Sequence, residues 1–239
     1  MNNISKAFQG RKALIPFVTC GDPAMEDTAR ILREAGANGA DMLVLGIPFS
    51  DPTAEGPEIQ AASARALSRG VTTDLVFDMI RANPAGIPLL IMTYANVVFR
   101  YGAGKFAAAC RECGVSGVIL HDLPYEERDE FQGAFEDAGV ELVVTASLAY
   151  AQRAAMVAQA AKSMVLFLDG ECAKVAVKAF REAVQVPCAG VITGCDPEEI
   201  RAAGALTDGL LMQTVIVGLD AAAAGAKIRE LREALNQVK

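Results

Sequence analysis

The chain has 239 residues, of which 52% are hydrophobic, so it is long enough to form one domain around a sizeable core. Its net charge of −7 argues against nucleic acid or an anionic membrane as a partner, since both attract basic patches. The apolar run Ala13–Val18 is too short for a membrane span or for the hydrophobic region of a signal peptide. The six cysteines are then most simply reduced thiols, and we expect a cytoplasmic protein.

Short apolar runs alternate with amphipathic segments along the chain, a pattern typical of parallel strands joined by helices. Eight strands are predicted, each followed by a helical pattern: Ala13–Thr19, Met42–Leu45, Leu89–Met92, Gly117–His121, Glu141–Thr145, Met164–Phe167, Cys188–Ile192 and Gly209–Met212. The last helix, Ala222–Gln237, has one apolar stripe from Ile228 to Leu235. Lys227 and Arg232 are therefore expected to face water.

Eight strand and helix units in a chain close to the usual ~250 residues predict a (β/α)8 TIM barrel, a single domain spanning residues 1–239. The competing doubly wound sheet has a similar period, but it usually carries a glycine-rich phosphate turn after its first strand. Here the turn is Thr19-Cys20-Gly21-Asp22-Pro23, which lacks that pattern. In a barrel, the functional residues are expected on the loops at the carboxyl ends of the strands.

The pair Cys110-x-x-Cys113 has the spacing of a redox or metal motif, but it lies in the predicted helix Gly104–Cys113. The chain has one histidine, His121, and its other cysteines are scattered singly. Because a zinc or thioredoxin-like site needs further ligands or partners nearby, we predict no metal site. Both thiols are expected to pack as small apolar side chains.

Three segments carry the most specific sequence patterns. Pro16–Pro23 reads Pro-Phe-Val-Thr-Cys-Gly-Asp-Pro at the end of the first predicted strand, and Tyr94–Phe99 reads Tyr-Ala-Asn-Val-Val-Phe after the third. Between them, Leu43–Pro57 reads Leu-Val-Leu-Gly-Ile-Pro-Phe-Ser-Asp-Pro-Thr-Ala-Glu-Gly-Pro. In this order and at barrel spacing, the three segments resemble the α chain of tryptophan synthase.

This resemblance implies cleavage of indole-3-glycerol phosphate to indole and glyceraldehyde 3-phosphate, a retro-aldol step in tryptophan biosynthesis that needs no metal or cofactor. A proton must be added at indole C3 while the indole N–H and the glycerol hydroxyl are polarised or deprotonated, and carboxylates suit both tasks. In the family, a Glu on strand 2 and an Asp in the following loop serve these roles. The matching residues here are Val44 and Glu55.

Because valine cannot exchange a proton, the family reaction is expected to be weak or lost. Glu55 keeps a carboxylate that is one methylene longer than the family's Asp. His121, at the end of the fourth strand, stands where the family usually has a small residue of the indole pocket, and imidazole exchanges protons near neutral pH. Glu55 and His121 are therefore the candidate catalytic residues, with a packed structural histidine as the alternative. Asp122 is not expected to pair with His121, because adjacent strand residues point to opposite faces.

The same resemblance gives the candidate ligand contacts: Phe17 and Tyr94 around the indole, and Asp122, Gly170, Val191, Gly194, Gln213 and Thr214 on or after strands 4, 6, 7 and 8. Core packing would explain the two aromatic residues nearly as well. The sequence pattern of a phosphate site is weak, since Gln213 replaces a family glycine that lets the backbone come close to the phosphate. The family's long lid after strand 6 is missing here, and Asp169 and Glu171 add negative charge near the expected phosphate.

Three functions remain open from the sequence. The first is the family lyase, with weakened chemistry on a phosphorylated indole substrate. The second is a non-catalytic partner that docks on a tryptophan synthase β chain, since Ile47–Pro57 and Tyr94–Phe99 match the family loops that face that chain. The third is a lyase or isomerase that uses Glu55 and His121 on another small substrate, because one barrel can host many chemistries.

Overall fold

The centre of the protein is a parallel sheet of nine strand segments, seen in a computed structural model that describes residues 3–167, 180 and 184–238. The segments are β1 (Ala13–Thr19), β2 (Leu43–Gly46), β3 (Leu89–Thr93), β4 (Val115–Leu120), β5 (Glu141–Leu142), β6 (Val144–Ala146), β7 (Val165–Phe167), β8 (Cys188–Ile192) and β9 (Gly209–Met212). Their order in the sheet is β5-β4-β3-β2-β1-β9-β8-β7-β6.

The two edges of this order, β5 and β6, are halves of one extended segment interrupted at Val143. β5 pairs with β4 and β6 pairs with β7, so the strand predicted over Glu141–Thr145 passes from one neighbour to the other. The Val143 N–H donates to the Val118 carbonyl at 2.9 Å across the interruption. The sheet therefore closes on itself, and the predicted (β/α)8 barrel is confirmed.

Helices connect the strands around the outside of the barrel. Within the described residues they are α1 (Asn3–Lys6), α2 (Met25–Glu34), α3 (Pro57–Ser68), α4 (Thr73–Ala82), α5 (Ala95–Tyr101), α6 (Ala103–Glu112), α7 (Asp129–Ala138), α8 (Ala151–Ala158), α9 (Pro197–Leu206) and α10 (Ala221–Asn236). Two helices rather than one join β2 to β3. Gly70, with a φ of 80°, turns the chain between them, and the Thr72 side chain caps α4 by accepting the Leu75 N–H.

The strands separate two apolar layers, because successive side chains point to opposite faces. Ile15 and Phe17 of β1 belong to the cluster inside the barrel, together with Val44 of β2. Leu14 and Val18 belong to the cluster between the sheet and the helices. Residues that face the barrel interior near the carboxyl ends of the strands therefore form the floor of the barrel mouth.

Cys110 of α6 and Cys113, which directly follows α6, lie in the packed layer between the sheet and the helices, as predicted. Cys110 is fully buried, and the Cys113 thiol donates to the Phe77 carbonyl at 3.4 Å. Burial raises the pKa of both thiols, which makes them poor nucleophiles. Within the described ranges, no group of His, Cys, Asp and Glu side chains is arranged to hold a metal ion.

Arg232 of α10 corrects the expectation that it faces water, since it is only 7% exposed. Its guanidinium donates to the Asp41 carboxylate, to the Gly39 carbonyl at 2.9 Å and to the Lys12 carbonyl at 3.0 Å. Helical spacing could not show this burial, because all three acceptors come from the first part of the chain. This contact fastens the last helix to the amino-terminal end of the barrel.

None of the helices in the described part of the chain combines the length and the apolar character that crossing a membrane requires.

Candidate functional site

A buried polar cluster of Glu55, His121 and Gln213 lies at the carboxyl ends of the strands. Glu55 is in the loop between β2 and α3, His121 directly follows β4, and Gln213 directly follows β9. The parallel strands bring these ends to one mouth, so residues 66 and 158 positions apart meet there. The structure thus brings the two candidate catalytic residues together and adds Gln213 to them.

The carboxylate of Glu55 is the centre of this cluster. Its Oε1 lies 3.0 Å from Nδ1 of His121, and its Oε2 accepts a hydrogen bond from Nε2 of Gln213 at 2.5 Å. Glu55 is 8% exposed and Gln213 is 7% exposed, so both oxygens have partners within a nearly closed space. A carboxylate next to Nδ1 holds the proton on that nitrogen, which leaves Nε2 of a neutral ring as a proton acceptor.

The loop that carries Glu55 is held by the residues around it. The Glu55 carbonyl accepts from the Gln60 side chain at 2.8 Å, and the Ala54 N–H donates to the Tyr94 hydroxyl at 3.0 Å. The Phe49 ring packs on Tyr94 with 4.9 Å between ring centres. Burial raises the pKa of Tyr94 to about 12, and the nearby carboxylates strengthen this effect, so the phenol stays protonated at neutral pH.

Val44, below this cluster, is fully buried in the barrel interior. It lies opposite Phe17 of β1 and Leu90 of β3 in the sheet register, and all three residues belong to the same apolar cluster. The Phe17 ring also covers Gly46, where an added Cβ would come within 2.4 Å of Cζ. The position of the family Glu is therefore closely packed and apolar in this chain.

A small cavity separates Phe17 from Glu55 and Tyr94. It leaves about 10 Å³ for the centre of a water molecule, which is room for roughly one water. Thr19 and Thr93 line it, and the hydroxyls of both are buried without a hydrogen-bond partner among the described residues. Such groups cost about 1–3 kcal/mol each when unpaired, so they are candidate ligand contacts. Sequence reasoning missed both; Thr19 lies in a quoted segment, and Thr93 had no distinguishing pattern.

The other predicted ligand contacts are distributed around the mouth. Val191 belongs to the barrel interior, and the Thr214 hydroxyl donates to the Thr193 carbonyl. Asp122, in the turn after β4, accepts the Ala95 N–H at 2.8 Å, so its carboxylate is engaged by α5 rather than by His121. Gly170 lies outside the described residues.

The Glu199 carboxylate lies close to Gly194, where a phosphate contact is predicted. An added Cβ at Gly194 would lie 2.7 Å from Oε2 of Glu199. Asp196 caps α9 by accepting the Glu198 N–H at 3.2 Å. That N–H at the helix end is therefore already engaged and is not available to a phosphate. An incoming phosphate would meet both carboxylates, which repel it.

Comparisons with known proteins agree in one family. The family model described as "Tryptophan synthase alpha chain" matches residues 4–218. A tryptophan synthase alpha chain from Xylella fastidiosa (strain 9a5c) is 35% identical over 271 residues and is matched over the whole of both chains. One from Lacticaseibacillus casei is 33% identical over 92% of this chain and 87% of its own. The crystal structure of tryptophan synthase subunit alpha from Legionella pneumophila str. Paris superposes over 100% of both chains, with 28% identity and a TM-score of 0.88.

Proposed function

The chain belongs to the tryptophan synthase alpha chain family, and we propose that it is a member in which cleavage of indole-3-glycerol phosphate is weak or lost. The observation that carries this proposal is the burial of Val44, which is 0% exposed among apolar side chains. The family resemblance assigns proton transfer to a Glu at this position. A valine can neither accept nor donate that proton.

Two further observations support a weakened reaction. The cavity above Phe17 holds about one water in this conformation, so an indole ring needs the Glu55 loop or nearby side chains to move. The Gly194 end of the mouth already carries the carboxylates of Asp196 and Glu199. Both features reduce binding of a bulky anionic substrate, in addition to the missing acid.

Indole release from indole-3-glycerol phosphate tests the proposal directly. We expect the native chain to be slower than the Xylella fastidiosa relative, assayed in parallel, by at least ~10²-fold, the usual contribution of one positioned acid or base. The assay is repeated with added β chain, so that activity which needs a partner is also detected. A native rate close to that of the relative under either condition would contradict the proposal.

A second candidate function, docking on a β chain, is favoured by Phe99 of α5. Its side chain is 64% exposed, and aromatic residues are enriched at protein interfaces. Phe99 closes the segment Tyr94–Phe99, while Tyr94 of the same segment holds the Glu55 loop through Ala54. The hydrogen bond between Ala54 and Tyr94 thus joins the two segments, Ile47–Pro57 and Tyr94–Phe99, that match the family's β-facing loops. Docking should change the rate at which β chain converts serine and indole to tryptophan; an unchanged rate at saturating concentration contradicts it.

A third candidate, proton transfer on another small substrate, is favoured by the contact of 3.0 Å between Glu55 and His121. A carboxylate that orients a histidine is a recurrent acid–base arrangement. Nε2 of His121 would exchange the proton, Glu55 would fix the ring, and Gln213 would hold Glu55.

Nitrogen NMR of the imidazole tests this arrangement without knowledge of the substrate. His121 is the only histidine, so selective labelling gives one set of ring signals. We expect Nδ1 to be protonated and Nε2 unprotonated in the neutral ring, because Glu55 accepts from Nδ1. In Glu55→Ala the two tautomers should mix, and the two nitrogen shifts should approach each other. Asp122→Asn is the control, since Asp122 contacts Ala95 instead; tautomers unchanged in Glu55→Ala would contradict the pairing.

A further inference from the structure

A second cavity lies outside the barrel, between α7 and the segment that follows α8, and we propose that it binds a small carboxylate with an apolar body. Its volume is about 270 Å³, close to the lower limit for small-molecule sites. Its walls come from α7, from the turn leading into β5 and from the segment that follows α8. It is separate from the cluster of Glu55, His121 and Gln213, and nothing in the proposed function uses it.

Two ion pairs join α7 and the segment before it to α8 and the segment after it. Arg153 of α8 pairs with Glu126, before α7, at 2.6 Å, and Lys162, after α8, pairs with Glu136 of α7 at 2.8 Å. Lys162 and Glu136 both line the cavity, so their pair joins its two sides, whereas Arg153 and Glu126 lie outside the lining. The charge of Lys162 in the cavity lining is therefore already paired.

Arg128 lies in the cavity wall and is incompletely satisfied. Its Nη2 donates to the Leu142 carbonyl at 3.1 Å, and its guanidinium lies 5.3 Å from the centre of the Tyr125 ring. Among the described residues, its Nε is buried without a hydrogen-bond partner and no carboxylate forms an ion pair with it. A buried N–H on a charged group is costly to leave unpaired, and a carboxylate is the acceptor that suits it best.

The rest of the lining selects the kind of anion. Phe135, Val140 and Leu142 give an apolar surface next to Arg128, which suits an aromatic or aliphatic body. Glu136 and Glu141 also line the cavity and would repel a second negative charge. A monocarboxylate with a ring or short chain is therefore favoured over a phosphate ester.

Benzoate is the probe for this site, and benzamide is its uncharged match in shape. In ¹⁵N-labelled full-length protein, we expect benzoate to shift the Arg128 Nε–H and the Leu142 amide in a saturable manner, with a Kd on the order of millimolar. Benzamide should leave both signals unchanged. Absence of saturable shifts at tens of millimolar benzoate, or equal shifts with benzamide, would overturn the proposal.

Two arginine variants test whether benzoate binding depends on Arg128 itself or on any positive charge in this region. Arg128→Lys keeps the charge but removes Nε, and should weaken benzoate binding by about tenfold or more. Arg153→Lys, the same change at an arginine outside the lining and already paired with Glu126, should have little effect. Ala160→Leu fills the cavity without altering Arg128 and should also block binding, so the proposal stays testable if Arg128→Lys is poorly folded. Undiminished binding in Ala160→Leu, or equal losses in the two arginine variants, would overturn it.

Discussion

Val44→Glu is expected to raise indole release from indole-3-glycerol phosphate by at least ~10²-fold, because it restores an acid at the family position. The same change should lower the free energy of unfolding by about 3–5 kcal/mol, since a carboxylate would enter a layer that is now fully apolar. Indole release and urea unfolding measure the two effects on the same preparation. The variant should therefore be more active and less stable than the native chain.

Val44→Gln is the matched control for this gain. Glutamine has nearly the same shape as glutamate and should also destabilise the interior, by about 1–3 kcal/mol, but it cannot exchange the proton. Equal rates of indole release in the Glu and Gln variants would contradict the inference that the native chain lacks only an acid at position 44. The binding side of the mouth, with its carboxylates near Gly194, would then be the limiting feature, and β-chain docking would be the favoured function.

Arg232→Met should lower the free energy of unfolding by about 3 kcal/mol, as expected when one partner of a buried ion pair is removed. The change leaves Asp41, which is largely buried, with Arg11 at 2.6 Å and the Leu14 N–H at 2.8 Å as its remaining partners. It also leaves the Gly39 and Lys12 carbonyls without their guanidinium donor. Urea unfolding followed by circular dichroism measures the loss.

Arg229→Met, three positions earlier on α10, is the control. Arg229 is exposed and donates to the Asn38 side chain, so its replacement should change stability by less than about 0.5 kcal/mol. Similar losses in the two variants would show that α10 depends on its surface charge in general. A selective loss in Arg232→Met would identify the guanidinium as the link between α10 and the start of the barrel.

The strands and the barrel could be predicted because their signal is local: an apolar run of four to seven residues marks each one. The interruption at Val143 could not, because it arises where the chain exchanges β4 for β7 as its neighbour. Burial of Arg232 escaped prediction for a similar reason. Its helical spacing indicates an exposed position, while its acceptors lie about 190 to 220 positions away.

The residues of the candidate site could be predicted from the sequence, but the hydrogen bonds between them could not. Resemblance to a family assigned Glu55 and His121 to the mouth and Gln213 to the phosphate side. It gave no means of seeing that the Gln213 amide reaches Glu55, since a side chain that replaces glycine has no counterpart in the family pattern. Side-chain direction across the mouth depends on the barrel's three-dimensional closure, which no short segment encodes.

The pairing of both Glu55 oxygens has a consequence for the rate at which the mouth admits a ligand. A molecule that entered between Glu55 and its neighbours would separate the carboxylate from His121 on one side and from Gln213 on the other. Unless that molecule supplied two donors of its own, a nearly buried charge would be left without partners. We therefore expect entry beside Glu55 to require displacement of the loop before α3, together with its contact to Tyr94. We then expect the frequency of that opening, rather than diffusion to the surface, to limit how fast a ligand enters the cavity beside Glu55.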